Sequence, residues 1–290
     1  MTRAAPTLLL GGEALIGRTR ASRDRALEVA ARYHEPESLA VSLSKAIAAG
    51  VDGVLAPPVP LLRTALAMLK QPVPLYALVP DPAELDRDTG ERDLRDVAAR
   101  RLGRAGPMTR ARAAITALPQ PPGFVGSDLA DQAALLLEVA APSLPRRHVH
   151  GVIVPARLTD LALASGHQRF FERTMRFVRS RFRALAGFET HNLGHLLARL
   201  REWGLAPDLV VGPVNPRGMM MKPTPDELLD ELRQARVPVL AKELRAAGTV
   251  PLADGAAYAR SHGAHGLVVD LVDLDDLGAE LRAIRAAGAA

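Results

Sequence analysis

The feature that most constrains this chain is an alternation. Eight short apolar runs recur along it, at Pro6–Gly11, Gly53–Ala56, Val73–Val79, Gly151–Val154, Ala184–Phe188, Leu209–Pro213, Val237–Ala241 and Gly266–Asp270. Parallel strands covered on both faces read as continuous apolar runs, and each pair needs a helical crossover. The segments between the runs carry helix signals. Ser38–Ala49 stops at Gly50, Leu193–Trp203 at Gly204 and Leu252–His262 at Gly263, as helices stop at glycine. Thr224-Pro225-Asp226-Glu227 supplies a cap residue, a first-turn proline and two acids ahead of Leu228-Leu229. A last helix is expected to begin near Asp273, with Asp275 and Asp276 in its first turn. Eight strands alternating with helices predict an α/β protein, one (β/α)8 TIM-barrel domain over residues 1–290. An open doubly wound sheet is the alternative. It would normally show a Gly-x-Gly-x-x-Gly turn, to which Gly11-Gly12-Glu13-Ala14-Leu15-Ile16-Gly17 is only loosely similar.

The repeat is uneven. A helical insertion is expected between strands three and four, at about residues 80–150. It opens with the polar, turn-rich Asp81–Gly90. Helices are expected around Leu94–Leu102 and Asp128–Ala140, with Met108–Leu118 a possible third, and Pro119–Gly123 breaks the stretch. A second helical stretch, Arg157–Arg183, follows strand four. Its arginines interleave with Phe170, Phe171, Phe177 and Phe182, a pattern that favours an amphipathic barrel helix over a nucleic-acid patch.

Composition removes several function classes. The chain has no cysteine, so it holds no disulfide, cysteine-bound zinc or iron–sulfur cluster. Its net charge is +5, but 33 of its 37 basic residues are Arg, which makes arginine the ordinary surface cation here. Aromatic residues are 3%, so stacking platforms for nucleic acid are scarce, and the expected partner is a small-molecule ligand. No run reaches 18 apolar residues and the N-terminus lacks a signal-peptide core, so a cytoplasmic location without membrane contact is expected. The sequence does not set the oligomeric state.

In a barrel, the carboxyl ends of the strands converge on one site. Glu189-Thr190-His191-Asn192, after strand five, is the densest polar cluster. Alternation puts Glu189 and His191 on one face, a pairing suited to acid–base work. The plainer reading has Thr190 or Asn192 capping the next helix and Glu189 paired with an arginine. Lys242 ends strand seven in a chain that otherwise uses arginine, and lysine can bind an anion or form an imine. Asn192, Asn215, Arg157 and Asp270 are the candidate substrate-binding residues. Met219-Met220-Met221 is either a flexible apolar lid or packing beneath a loop. No metal site is expected: His148-Val149-His150 has ligand-like spacing but precedes strand four, at the barrel's stability face. No nucleophile elbow, His-Glu-x-x-His motif or P-loop is present.

From Arg183 onward the chain resembles the aldo/keto reductases. The segments that carry the resemblance are Arg183–Asn192, Asp208–Pro216, Val237–Gly248, Leu252–Ala256 and Gly266–Val269. Gly187-Phe188-Glu189-Thr190-His191 is similar to the family's Gly-Phe-Ser-x-His fifth strand. Ala241-Lys242-Glu243-Leu244 falls where that family has Met-Lys-Pro-Leu. The resemblance implies a TIM barrel, an NADP(H) cofactor and carbonyl reduction by an Asp/Tyr/Lys/His set. The family's Asp and Tyr would fall at Val54–Val59, its Lys at Tyr76–Val79 and its His at Ile153–Ala156, and none is present. Its nicotinamide-binding Ser aligns with Glu189, and its phosphate corner after strand eight is acidic here.

The leading expectation is therefore a barrel enzyme acting on a small polar carbonyl or carboxylate metabolite, with Glu189, His191 and Lys242 catalytic. The alternatives are a nicotinamide-dependent oxidoreductase with a rearranged catalytic set, and an inactive barrel that serves as a binding or scaffold protein.

Overall fold

A computed structural model describes residues 4–89, 94–117 and 128–286. Its centre is a closed parallel barrel in chain order, β1 (Leu8–Gly11), β2 (Gly53–Ala56), β3 (Leu75–Leu78), β4 (Val149–Val154), β5 (Leu185–Glu189), β6 (Leu209–Pro213), β7 (Val239–Lys242) and β8 (Gly266–Asp270). β8 closes on β1 with Gly11 beside Asp270. The eight expected strands are the eight observed, and their ends shift by up to two residues. β7 runs one residue further than expected and takes in Lys242.

Around the barrel lie α1 (Arg23–Arg32), α2 (Pro36–Ala48), α3 (Pro60–Met68), α4 (Pro82–Thr89), α5 (Leu94–Arg104), α6 (Pro107–Ala117) and α7 (Leu129–Ala140). They are followed by α8 (Ala156–Ala164), α9 (Gln168–Phe182), α10 (Leu193–Trp203), α11 (Pro225–Arg233), α12 (Leu252–Ser261) and α13 (Leu277–Ala286). Among the described residues, no helix is long and apolar enough to cross a membrane.

Local chemistry accounts for most helix ends. The Thr224 hydroxyl caps α11 by accepting the Glu227 N–H at 3.3 Å, and it donates to the Glu227 carboxylate at 2.9 Å. Asp128 caps α7 by accepting the Ala130 N–H. Gly204 ends α10 with φ of 65°, a conformation that costs little only without a Cβ.

Two expectations change. Asp81–Gly90, expected to be turns, is helical from Pro82 to Thr89. Asp81 accepts the Ala83 N–H at 2.9 Å, and Pro82 fits the first turn. The last helix begins at Leu277 rather than near Asp273. Leu271–Asp273 forms a 3-10 turn first, and Asp276 accepts the Ala279 N–H. The Pro119–Gly123 break lies outside the described residues.

Two apolar layers hold the barrel. Inside it, Leu9, Leu55, Tyr76, Leu78, Ile153, Leu185, Leu209, Val211, Leu240 and Val268 fill the bore. Outside, the alternate strand residues pack against the helices. Each fully buried Leu of this kind contributes about 1.5–3 kcal/mol. On α9, Phe170, Phe171, Met175 and Val178 are buried, as its amphipathic pattern requires. Phe171 meets Phe188 of β5 at 4.9 Å between ring centroids and Trp203 of α10 at 5.5 Å. The arginines of α9 turn to carboxylates. Arg181 grips the buried Glu138 of α7 at 2.7 and 2.9 Å, Arg173 pairs with Asp131, and Arg179 reaches Asp208 at 3.0 Å.

His148 lies at the amino end of β4, where stability was the expected role. It is buried, and Nδ1 accepts the Val73 N–H at 3.0 Å, tying the entry to β3 to the entry to β4. Its Nε2 is buried without a partner among the described residues. Burial, helped by the charges of Arg147 and His150, holds its pKa below the ordinary value of 6.5. The unfolded chain therefore takes up a proton as pH falls through about 6.5, while the native imidazole resists. Stability from this residue is complete above that pH and is lost below it. The unfolding temperature should fall more steeply from pH 7 to pH 5 in the wild type than in His148→Asn, which keeps an acceptor for Val73. Parallel pH profiles of the two proteins would remove the assignment.

Candidate active site

Side chains alternate along a strand, so the residues two past the apolar bore layer form the next layer toward the carboxyl ends. At β2, β3, β4 and β6 those positions are Pro57, Pro80, Pro155 and Pro213, all buried. At β1 the position is Gly11. At β7 and β8 the positions are Lys242 and Asp270, and on β5 the ionisable Glu189 follows Gly187, the residue two past Leu185. The chemistry of the barrel end is thereby confined to one side.

Lys242 is the centre of that side. Its side chain is 8% exposed, and Nζ lies 2.5 Å from Glu189 Oε1 and 2.8 Å from Glu13 Oε2. Burial, the largest effect, pulls its pKa down. The carboxylates of Glu189, Glu13 and Asp270 outweigh burial, and the pKa stands well above the ordinary lysine value. Glu189 is likewise pushed up by burial and pulled further down by Lys242 and by the Ala156 N–H, which donates to Oε2 at 3.2 Å. The pair is ionic at neutral pH. The expected partner of Glu189 was an arginine; a lysine fills that place. A lysine held protonated is a fixed charge and donor, which does not suit the imine role also considered for it. Two of its three N–H donors are engaged, leaving one for a ligand.

Above Lys242 opens a cavity of about 330 Å³, walled by Glu13 to Ala21 on one side and the turn after β7 on the other, with His191 and Asp270 also lining it. Three arginines stand at its wall. Arg18 meets Glu13 at 3.2 Å and Arg20 meets Glu243 at 3.0 Å; Arg245 completes the set. Ala246, Ala247 and Gly248 all have left-handed φ (44°, 58° and 87°), and this stretch faces the cavity.

His191 lines the cavity with its ring fixed from behind. Nδ1 lies 3.2 Å from Asp160 Oδ2 on α8, and the His191 N–H donates to the same carboxylate. The Thr190 hydroxyl also donates to Asp160. Burial raises the Asp160 pKa, but these hydrogen bonds prevail and hold it below the ordinary carboxylate value. An ionised Asp160 bound to Nδ1 leaves Nε2 for a ligand, the arrangement of an oriented acid–base imidazole.

The other candidates are placed differently. Asp270 lines the cavity, and its carboxylate lies over Gly11, where a Cβ would collide with it. Asn215 does not reach the cavity. It is fully buried and clasps its own loop, donating to the Met219 carbonyl at 2.9 Å and accepting the Met219 N–H at 3.0 Å. Met221 packs beneath that loop, so the run does not form a lid. Arg157 is exposed at the start of α8, and neither it nor Asn192 lines the cavity. Asn192 sits at the start of α10 without a side-chain cap bond; the Thr190 hydroxyl accepts its N–H instead. Among the described residues, no group of three or more Asp, Glu or His side chains is arranged to hold a metal ion.

The sequence pointed to none of Asp160, Arg18, Arg20 and Arg245, and Glu243 was visible at the end of strand seven without being singled out. Asp160 lies on the helix after β4 and gave no strand-end signal. Glu13 was visible at the end of strand one but not singled out.

No family model matches the chain, and no curated protein matches it. Solved structures do. The chain is similar to a putative aldo-keto reductase from Pseudomonas aeruginosa, with 15% identity and a TM-score of 0.50 over 97% of this chain and 88% of that one. It is also similar to an aldolase, QR15, with 12% identity and a TM-score of 0.43 over 96% and 94% of the two chains. A thiamine phosphate pyrophosphorylase from Pyrococcus furiosus has 11% identity and a TM-score of 0.39 over 98% and 95%. At such identities the likeness speaks for the fold alone: this is a (β/α)8 barrel protein.

Removing one partner of a buried ion pair strands the other charge. Lys242→Met should cost about 3–5 kcal/mol of unfolding free energy, while Lys242→Met with Glu189→Leu should recover most of that. Urea unfolding of the three proteins reads both values. A single variant as stable as the wild type would show that the two groups are not held buried together.

Proposed function

We propose that the chain is an enzyme acting on a small polar metabolite that carries a carbonyl or carboxylate group and a second anionic group. The observation that carries this reading is the meeting, in one polar cavity, of the buried cation Lys242 and the imidazole of His191 held by Asp160. A fixed positive charge in a water-poor layer stabilises an oxygen on which negative charge develops. An imidazole with one free nitrogen takes or gives a proton beside it. Together they suit proton transfer at a carbon next to a carbonyl. His191 Nε2 removes the proton, and the carbonyl oxygen gains charge beside Lys242. Glu13 and Asp270 accept from substrate hydroxyls. Arg18, Arg20 and Arg245 hold the anionic end.

The residues present do not fit nicotinamide-dependent carbonyl reduction, which the resemblance to aldo/keto reductases implies. Prolines and aliphatic residues occupy the positions of that family's proton donors. The residue in place of its nicotinamide-binding serine is Glu189, whose carboxylate is taken by Lys242 and the Ala156 N–H.

The test is a panel of small oxo acids and phosphorylated sugars in deuterated water, followed by NMR for exchange of the protons next to the carbonyl. Exchange with at least one of them is expected, falling by about 10²–10⁴ in His191→Ala. A smaller fall is expected in Asp160→Asn, which keeps the imidazole but not its orienting charge. Calorimetry with NADPH runs alongside. Exchange that persists unchanged in His191→Ala, or saturable NADPH binding with no exchange, would overturn the proposal.

A further inference from the structure

A second cavity, of about 640 Å³, shares no lining residue with the one above Lys242. It runs between α3, which packs on α2, and α7, which packs on α5, α6 and α9. Its size falls in the range of sites that enclose small ligands.

Its lining is divided by chemistry. One part is apolar, contributed by Pro58 and Val59 ahead of α3 and by Val139 and Pro142 at the end of α7. The other part holds Arg63, Arg87, Arg101 and Arg104, brought together from α3, α4 and α5. Two carboxylates share the wall, and both are already engaged. Asp81 accepts the Ala83 N–H as the cap of α4, and Glu84 lies 3.7 Å from Arg101. The side chains of Arg63, Arg87 and Arg104 have no hydrogen-bond or ion-pair partner among the described residues.

Several arginines on α9 and α10 are matched. Arg173, Arg179, Arg181 and Arg201 each meet a carboxylate on a neighbouring element. Four guanidinium groups and two carboxylates line this hollow, a surplus of positive charge among the described residues, and an anion placed there relieves it. Guanidinium pairs phosphate through two parallel hydrogen bonds, a geometry suited to an array of phosphate oxygens. The apolar wall suits a part of the ligand that is not charged.

We propose that this groove binds a nucleotide-type ligand, its di- or triphosphate on Arg63, Arg87 and Arg104 and its nucleoside against the apolar wall. The site shares no residue with the cavity above Lys242 and does not rest on the function proposed for that cavity.

Calorimetric titration with ADP and with inorganic pyrophosphate tests it. ADP should bind saturably at one site, more tightly than pyrophosphate, and should weaken by about tenfold or more in Arg63→Gln/Arg87→Gln/Arg104→Gln. The three side chains are exposed, so circular dichroism and the unfolding temperature of the variant should match the wild type. Lys242→Met/Glu189→Leu, which alters only the mouth, should bind ADP as the wild type does. Three results would each overturn the proposal. They are no ADP binding at millimolar concentration, ADP binding that survives the triple substitution, and pyrophosphate binding as tight as that of ADP.

Discussion

Closing eight parallel strands into a barrel leaves a bore that must be filled, and the rest of this structure follows from that constraint. A bore is dry, so its middle layer is aliphatic apart from one tyrosine, Tyr76. The next layer up meets the mouth, where polar groups become affordable. Proline takes four of the eight positions there and glycine two more, with Glu189 the next inward residue on β5. Proline brings no donor and no charge, so those strand ends contribute shape alone. Glu189, Lys242 and Asp270 remain as the charged part of the mouth. They must satisfy one another, because desolvation penalises each of them singly.

The balance that results is a chain of alternating charge. It runs from Arg18 to Glu13, through Lys242, to Glu189. A second link, Arg20 to Glu243, runs beside it. Both join the segment after β1 to the turn after β7, so the walls of the cavity are positioned by the ion pairs that give it polarity. A ligand anion entering there competes with Glu13 and Glu243 for the arginines. A ligand hydroxyl finds carboxylate oxygens as acceptors.

The fold was legible because strands buried on both faces leave an uninterrupted apolar signature. Gly53–Ala56, Leu209–Pro213 and Gly266–Asp270 were bounded to the residue. Where Asp and Pro can start either a turn or a helix, as at Asp81-Pro82, composition misled and capping chemistry decided. The site was half legible. The ends of the apolar runs pointed to Glu189, Lys242 and Asp270 because a strand end is a local signal. Asn215 looked equally available, but its amide is consumed by a backbone four residues away, which no spacing reveals. Asp160 reaches His191 across 31 residues, from a helix to the next strand's loop, and such a contact exists only once the barrel is closed.

The choice of cation is the most telling part of the mouth. The chain has 33 arginines and four lysines, yet Lys242 is the one Lys or Arg side chain buried among the described residues. An ammonium is a compact charge whose three N–H groups point apart, so it can sit between Glu13 and Glu189 and still face a ligand. A guanidinium is planar and wide, and satisfies one carboxylate best along one edge. It could not occupy the same point without displacing a neighbour. Arginine suits the open second cavity, where width is useful and solvent is near. Lysine suits the closed layer, where a single charge must serve several oxygens at once.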